Sequence, residues 1–185
     1  MILRRSAVVA CPERWTTCAA GEAAVGRGLP LVVAFVVQES GDLLSGERLE
    51  DAIGAVEALA PLAVGLNCIP PRGVSALLPR LRQATTRPLV VYAHIGNTTP
   101  IGGWTFAQDA TPAEYAEYAR RWLDWGASIV GGCCGTMPAH IRAVDPHVLD
   151  HDPRALQTRV RGLGDLLHDV HARRREHLGE RALAD

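Results

Sequence analysis

The sequence predicts an α/β fold made of parallel β/α units. Two observations lead there. Apolar runs rich in β-branched residues recur along the chain, and each is followed by a segment with helical spacing of its apolar residues. The runs are continuous rather than alternating, as expected of strands buried on both faces in a parallel sheet.

In chain order, the first thirty residues are weakly patterned, with a short helix expected from Thr17 to Gly26. The run LPLVVAFVV supplies the first expected strand, 31–37. Ser45 is placed to cap a helix from about Gly46 to Ala60, with Leu49, Ile53, Val56 and Leu59 on one face. PLAVGLNCI gives a second strand, 62–68, and a helix is expected over about 73–84. RPLVVYAHIG gives a third strand, 88–94. The following IGNTTPIGGWTFAQDA is long and rich in Gly and Pro, the composition of a binding loop. Thr111, Pro112 and Glu114 then form a capped helix start with proline in the first turn, leading to a helix that runs to Trp125. ASIVGGCCG contains a fourth strand, 127–132, and MPAHIRAV a short helix. Residues 1–150 are expected to hold the fold and 151–185 an amphipathic helical tail, in which Arg173, Arg174 and Arg175 read as a solvated face. Right-handed crossovers between parallel strands fit an open doubly wound sheet and a piece of a (β/α)8 barrel equally well.

Composition narrows the function. The formal net charge of −1 argues against a generic nucleic-acid or anionic-membrane binder. No apolar run is long enough to span a bilayer, and Pro12, Glu13 and Arg14 interrupt the first one too early for a signal-peptide core. The cytoplasm is the expected location. All 19 basic residues are Arg, which excludes lysine Schiff-base chemistry. The five cysteines, Cys11, Cys18, Cys68, Cys133 and Cys134, point to metal binding or catalysis rather than a disulfide framework.

Cys68 ends the second expected strand and Cys133 and Cys134 the fourth, while Tyr92, His94 and Asn97 end the third. C-terminal strand ends form the ligand face of parallel α/β folds, so these side chains can converge. Three thiolates with a fourth position open make a catalytic type of zinc site, and sulfur ligands favour zinc over magnesium or calcium. A lone cysteine in an apolar strand is ordinarily a small buried hydrophobe, and His140 reads as a surface or helix-packing histidine. Adjacent cysteines between glycines are harder to account for by packing alone.

IVGGCCGTMPAHI over 129–141 resembles the signature of the homocysteine S-methyltransferase family, and VGLNCIPP resembles that family's Asn-Cys strand end. RPLVVYAHIGN is similar to its proline-led strand, and Trp122 falls where the family often places a tryptophan. The resemblance spans about 20–145 and implies half of a TIM-type (β/α)8 barrel, strands five to eight. It implies that Cys68, Cys133 and Cys134 bind Zn2+ and that Asn67, Tyr92 and His94 contact substrate, with His94 standing where the family usually has asparagine. It implies methyl transfer to the thiol of homocysteine, giving methionine, from S-methylmethionine or S-adenosylmethionine. Two alternatives stand beside it: a selenocysteine or other thiol methyltransferase, and a truncated or split member that binds zinc but is inactive alone. Its partner would be an N-terminal half-barrel chain or a second copy, and its unpaired sheet edges would lie beside LVVAFVV and ASIVGG.

Overall fold

The computed structural model describes residues 7–11, 14–99, 103–105 and 110–150; the expected tail, 151–185, lies outside the described residues. The elements run β1 (Ala7–Cys11), α1 (Arg14–Val25), β2 (Leu31–Phe35), α2 (Leu49–Glu57), β3 (Ala63–Asn67), α3 (Pro71–Ala84) and β4 (Leu89–Ala93). They continue with β5 (Asn97–Thr99), β6 (Gly103–Thr105), α4 (Pro112–Asp124), β7 (Ala127–Gly132) and α5 (Pro138–Asp150). Five strands form one all-parallel sheet in the order β1-β2-β3-β4-β7. β5 and β6 form a separate antiparallel pair inside the Gly/Pro-rich loop. No helix among the described residues is long and apolar enough to cross a membrane.

Each strand of the sheet interior presents core residues on both faces. On one face Leu31, Val33 and Phe35 of β2, Val64 and Leu66 of β3, and Leu89 and Val91 of β4 pack with helix residues such as Ile53, Val56, Leu78 and Trp122 into the main core. On the other, Val32, Ala34, Ala63 and Val90 form a second cluster flanked by Tyr92 and Ile129, a set that includes no residue of a described helix. This two-sided burial is why the strands read as unbroken apolar runs.

Several expectations need correction. β1 was not anticipated: its five residues, between two arginines and Pro12, are too short to show a pattern, yet Ala7 to Cys11 pair in register with Leu31 to Phe35. β2 is therefore an interior strand, and the sheet edges are β1 and β7. Cys11 ends this strand. Helix α1 begins at Arg14, ahead of the expected Thr17. Ser45 does not cap α2: Gly46 takes a positive φ of 89°, which breaks the chain direction, and Ser45 Oγ donates to Glu47 instead. The helix starts at Leu49 behind Arg48, whose side chain makes no capping bond. Helix α5 continues past the expected Val144 to Asp150.

The start of α4 matches its sequence signature. Thr111 Oγ1 accepts from the Glu114 N–H at 3.3 Å, and the Glu114 carboxylate accepts from the Thr111 N–H at 2.7 Å. At the opposite end of the sheet Glu57 accepts from Thr85 Oγ1 at 2.6 Å and from Arg87 Nε at 2.9 Å, tying α2 to the start of β4. Above β2, Arg80 joins α3 to Glu50 of α2 and, at 3.0 Å, to Asp42.

Candidate metal centre

The C-terminal ends of β3, β4 and β7 remain laced together after the regular strands stop. The Cys68 N–H donates to Tyr92 O at 2.8 Å, His94 N–H to Ile69 O at 3.0 Å, Cys133 N–H to Ala93 O at 2.9 Å and Ile95 N–H to Cys134 O at 3.0 Å. Adjacent parallel strands thus deliver Cys68 from one side of β4 and Cys133 and Cys134 from the other.

The three thiols meet. The sulfurs of Cys68 and Cys134 are 3.6 Å apart, those of Cys133 and Cys134 are 3.7 Å apart, and all three lie within 4.8 Å of one another. No histidine or carboxylate joins this group among the described residues. A tetrahedral ion with Zn–S bonds of about 2.3 Å requires sulfurs about 3.8 Å apart. The donor set is soft, its spacing suits a tetrahedral ion of that size, and all three side chains are partly buried. The residues present therefore fit a metal held by three thiolates with a fourth position left for another ligand.

Electrostatics agree with that fit. Burial is the largest influence on the Cys68 thiol, followed by its hydrogen bonds with Cys133 and Cys134 and their like charge, and together they push it up to about 12. Burial also raises Cys133. Neighbouring thiols cannot ionise together without a compensating cation, and a bound dication reverses that penalty.

Local backbone choices make the cluster. Cys68 takes a positive φ of 55°, rare outside glycine, turning the chain from β3 into the Pro70-Pro71 start of α3. The double glycine before the cysteines is required by close approach. A Cβ on Gly131 would stand 2.7 Å from the Tyr92 ring, and one on Gly132 would collide with the Thr136 side chain. The Thr136 hydroxyl in turn donates to Cys133 O at 2.5 Å and closes the turn.

The other predicted residues are near but have distinct surroundings. Asn67 and Tyr92 are register partners, one residue before Cys68 and two before His94 respectively. Alternation puts Asn67 on the same face as Ala63, the face of the second cluster, and Tyr92 flanks that cluster. Burial raises the Tyr92 phenol, so it remains a neutral donor. His94 Nδ1 is buried and lacks a hydrogen-bond partner among the described residues. His140 is not part of the cluster: it is 1% exposed, its Nδ1 accepts from the Met137 N–H at 3.0 Å, and its Nε2 therefore carries the proton and donates to Ala110 O at 3.3 Å. The side chain of Asn97 is outside the described residues. Thr136 lies inside the 129–141 motif, but the motif assigns it no role of its own; its role as the donor that closes the cysteine turn is visible only in the structure. A cavity of about 610 Å3 opens beyond β2 and β3, lined by residues including Glu39, Ile69, Arg72 and Tyr118; none of the three clustered thiols lines it.

Comparison with known proteins assigns this arrangement to a family. The family model described as homocysteine S-methyltransferase matches residues 8–148. Selenocysteine methyltransferase of Astragalus bisulcatus is 33% identical over 118 residues, covering 62% of this chain and 35% of that protein. Homocysteine S-methyltransferase 3 of Arabidopsis thaliana is 38% identical over 96 residues, covering 51% of this chain and 27% of that protein. The crystal structure of the homocysteine methyltransferase MmuM from Escherichia coli, in its metallated form, superimposes with a TM-score of 0.59 at 27% identity, covering 75% of this chain and 44% of that one. The chain spans roughly a third of the length of the curated relatives it matches. With a family model matched over most of its length and the sheet of a (β/α) barrel carrying three converging thiols, the chain belongs to the homocysteine S-methyltransferase family.

Proposed function

We propose that residues 1–150 are the C-terminal, metal-bearing half of a thiol methyltransferase barrel. In this reading Cys68, Cys133 and Cys134 hold Zn2+, and the acceptor is the thiol of homocysteine, methylated to methionine by S-methylmethionine or S-adenosylmethionine. The observation that carries it is the convergence of three thiols from two strand ends, within 4.8 Å, in a chain of this family. Bound zinc would strip the proton from an acceptor thiol at neutral pH and keep the sulfur nucleophilic.

The chain's own residues supply binding and orientation. The three cysteines form the soft ligand set. Asn67 offers an amide donor and acceptor, Tyr92 a neutral phenol, and His94 a buried Nδ1 that a polar group of the acceptor would satisfy. In the reaction the acceptor sulfur forms the new S–C bond as the donor's S–CH3 bond breaks. The electron pair of the broken bond stays on the donor sulfur, which loses its positive charge, and the acceptor's thiol proton goes to solvent. With S-methylmethionine, both products are methionine.

The Astragalus relative favours a second reading, in which the acceptor is selenocysteine. The ratio of kcat/KM for the two acceptors decides between them. The proposed location is the cytoplasm, where thiols stay reduced.

The chain covers 44% of MmuM, and we also propose that the remaining strand-end loops come from an N-terminal half of the barrel, carried ahead of this stretch in one polypeptide, by a partner chain or by a second copy. Correct alignment of donor and acceptor can contribute about 7–11 kcal/mol to catalysis, and it needs groups around both substrates. The test is methionine formation from homocysteine and S-methylmethionine, by the zinc-loaded chain alone and with a polypeptide supplying the other strands. Little or no turnover alone and turnover together are expected. Turnover of about 1 s⁻¹ by the chain alone would refute the need for a partner. No turnover by the combined chains with either acceptor would refute the activity.

A further inference from the structure

Tyr115 lies in the first turn of α4 and is fully buried. Its hydroxyl donates to Gly131 O at 2.6 Å and stands 3.5 Å from Ala93 O. These carbonyls belong to β7 and β4 just before the chains continue into Cys133 and His94. Ala93 O also accepts the Cys133 N–H. One hydroxyl therefore sits on the seam between the two strands, immediately below the thiols.

The ring of Tyr115 is the centre of a buried cluster that reaches the helices following both halves of the thiol group. It meets Trp122 edge-on, with ring centroids 5.8 Å apart, and His140 of α5 edge-on at 5.9 Å. Trp122 Nε1 donates at 2.9 Å to Ser75 Oγ in α3, the helix that begins three residues after Cys68. Packing alone would be served equally well by phenylalanine, which fills nearly the same volume. The hydroxyl adds a fixed point on β7, which among the described residues pairs with β4 alone and does so with a register shift at Leu89/Val90.

We infer that Tyr115 is a positioning residue for the thiol cluster: its hydroxyl fixes Gly131 and so sets Cys133 and Cys134 against Cys68. The functional meaning of this rests on the metal-site reading above. Groups that orient metal ligands from behind typically change metal affinity by about 10–100-fold when removed.

The experiment compares wild type, Tyr115→Phe and Glu57→Gln, the last removing an ion pair at the far end of the sheet. Two readouts are used: Co2+ titration followed by sulfur-to-cobalt charge-transfer absorption, and capture of phenylarsine oxide by the metal-free thiols, which requires at least two sulfurs held close together. Tyr115→Phe should remain folded, bind Co2+ about ten-fold more weakly with an altered charge-transfer band, and capture the arsenical more slowly. Glu57→Gln should lower thermal stability and leave both readouts at wild-type values. If wild type binds no Co2+ yet arsenical capture slows in Tyr115→Phe, the positioning role stands and the metal reading fails. Wild-type readouts in Tyr115→Phe, equal losses in Glu57→Gln, or unfolding of Tyr115→Phe would each overturn the inference, the last by showing the hydroxyl to be a general structural group.

Discussion

The sulfurs of Cys68 and Cys134 lie 3.6 Å apart although 66 residues separate them along the chain. The sheet brings them together: β4 stands between their strands and accepts from the N–H of Cys68 on one side and of Cys133 on the other. The entropy of closing that long loop is met by folding, so a ligand binding at the cluster does not have to meet it again. Preorganisation of this kind is what the proposed metal site requires beyond three cysteines that share a fold.

Replacing Cys133 by serine should reduce zinc from about one ion per chain to near none after dialysis against a chelator. Binding free energies at thiolate zinc sites run to about 10 kcal/mol or more, so loss of one of three ligands is decisive. Elemental analysis of the purified variant provides the check, with Cys18→Ser as a control that should retain its metal. Wild-type, chelator-resistant zinc in Cys133→Ser would remove the assignment.

Gly131→Ala should destabilise the chain by about 1–3 kcal/mol, because the new methyl group meets the Tyr92 ring at 2.7 Å and the ring is held in the packed face of the sheet. Tyr92→Ala in the same chain should recover part of that loss. Denaturant melts of the two single variants and the double variant measure the coupling, and strict additivity would show that the contact is not the cause.

The capping box of α4 supports a shorter prediction. Thr111→Ala removes the acceptor for the Glu114 N–H and should cost about 1 kcal/mol, seen as a lowered Tm. A change smaller than the error of the melt would mean that the first turn is held by packing alone.

Acid should weaken the contact between α2 and α3. The Arg80 guanidinium beside Glu50 holds its carboxyl at about 2, below the ordinary value of 4.5. Because the folded value is the lower one, the stabilisation is complete above about pH 4.5 and is lost as pH falls toward 2. The pair is part-exposed, so solvent screening limits its contribution to about 1 kcal/mol. In Glu50→Gln the fall in stability between pH 5 and about 2 should be correspondingly shallower, as read by urea melts across that range.

Much of this was legible in the sequence, for identifiable reasons. β2, β3, β4 and β7 announced themselves because burial on both faces leaves no polar residue to interrupt the run, and their observed limits fall within two residues of expectation. Thr111 and Glu114 marked the start of α4 because capping chemistry is local. β1 was invisible because its five residues become a strand only through pairing with β2, and the β5–β6 pair was hidden in a loop with no alternation to read. Tyr115 was hidden for a different reason. Its spacing with Ala119 and Trp122 is that of any core stripe, and the bond that distinguishes it goes to a backbone carbonyl, which leaves no mark in a sequence.

The positive φ of Cys68 has a consequence for how such a chain would drift. A non-glycine residue in that region costs about 1 kcal/mol or more, and glycine or asparagine would occupy it with less strain. The fold and the proposed metal site therefore favour different residues at one position: Cys68→Gly should raise the stability of the metal-free protein while removing one of the proposed ligands. In a lineage that no longer uses the proposed site, position 68 is where selection for stability would act against the cysteine. A glycine there in an otherwise similar chain would mark a descendant that kept the architecture without the proposed metal site.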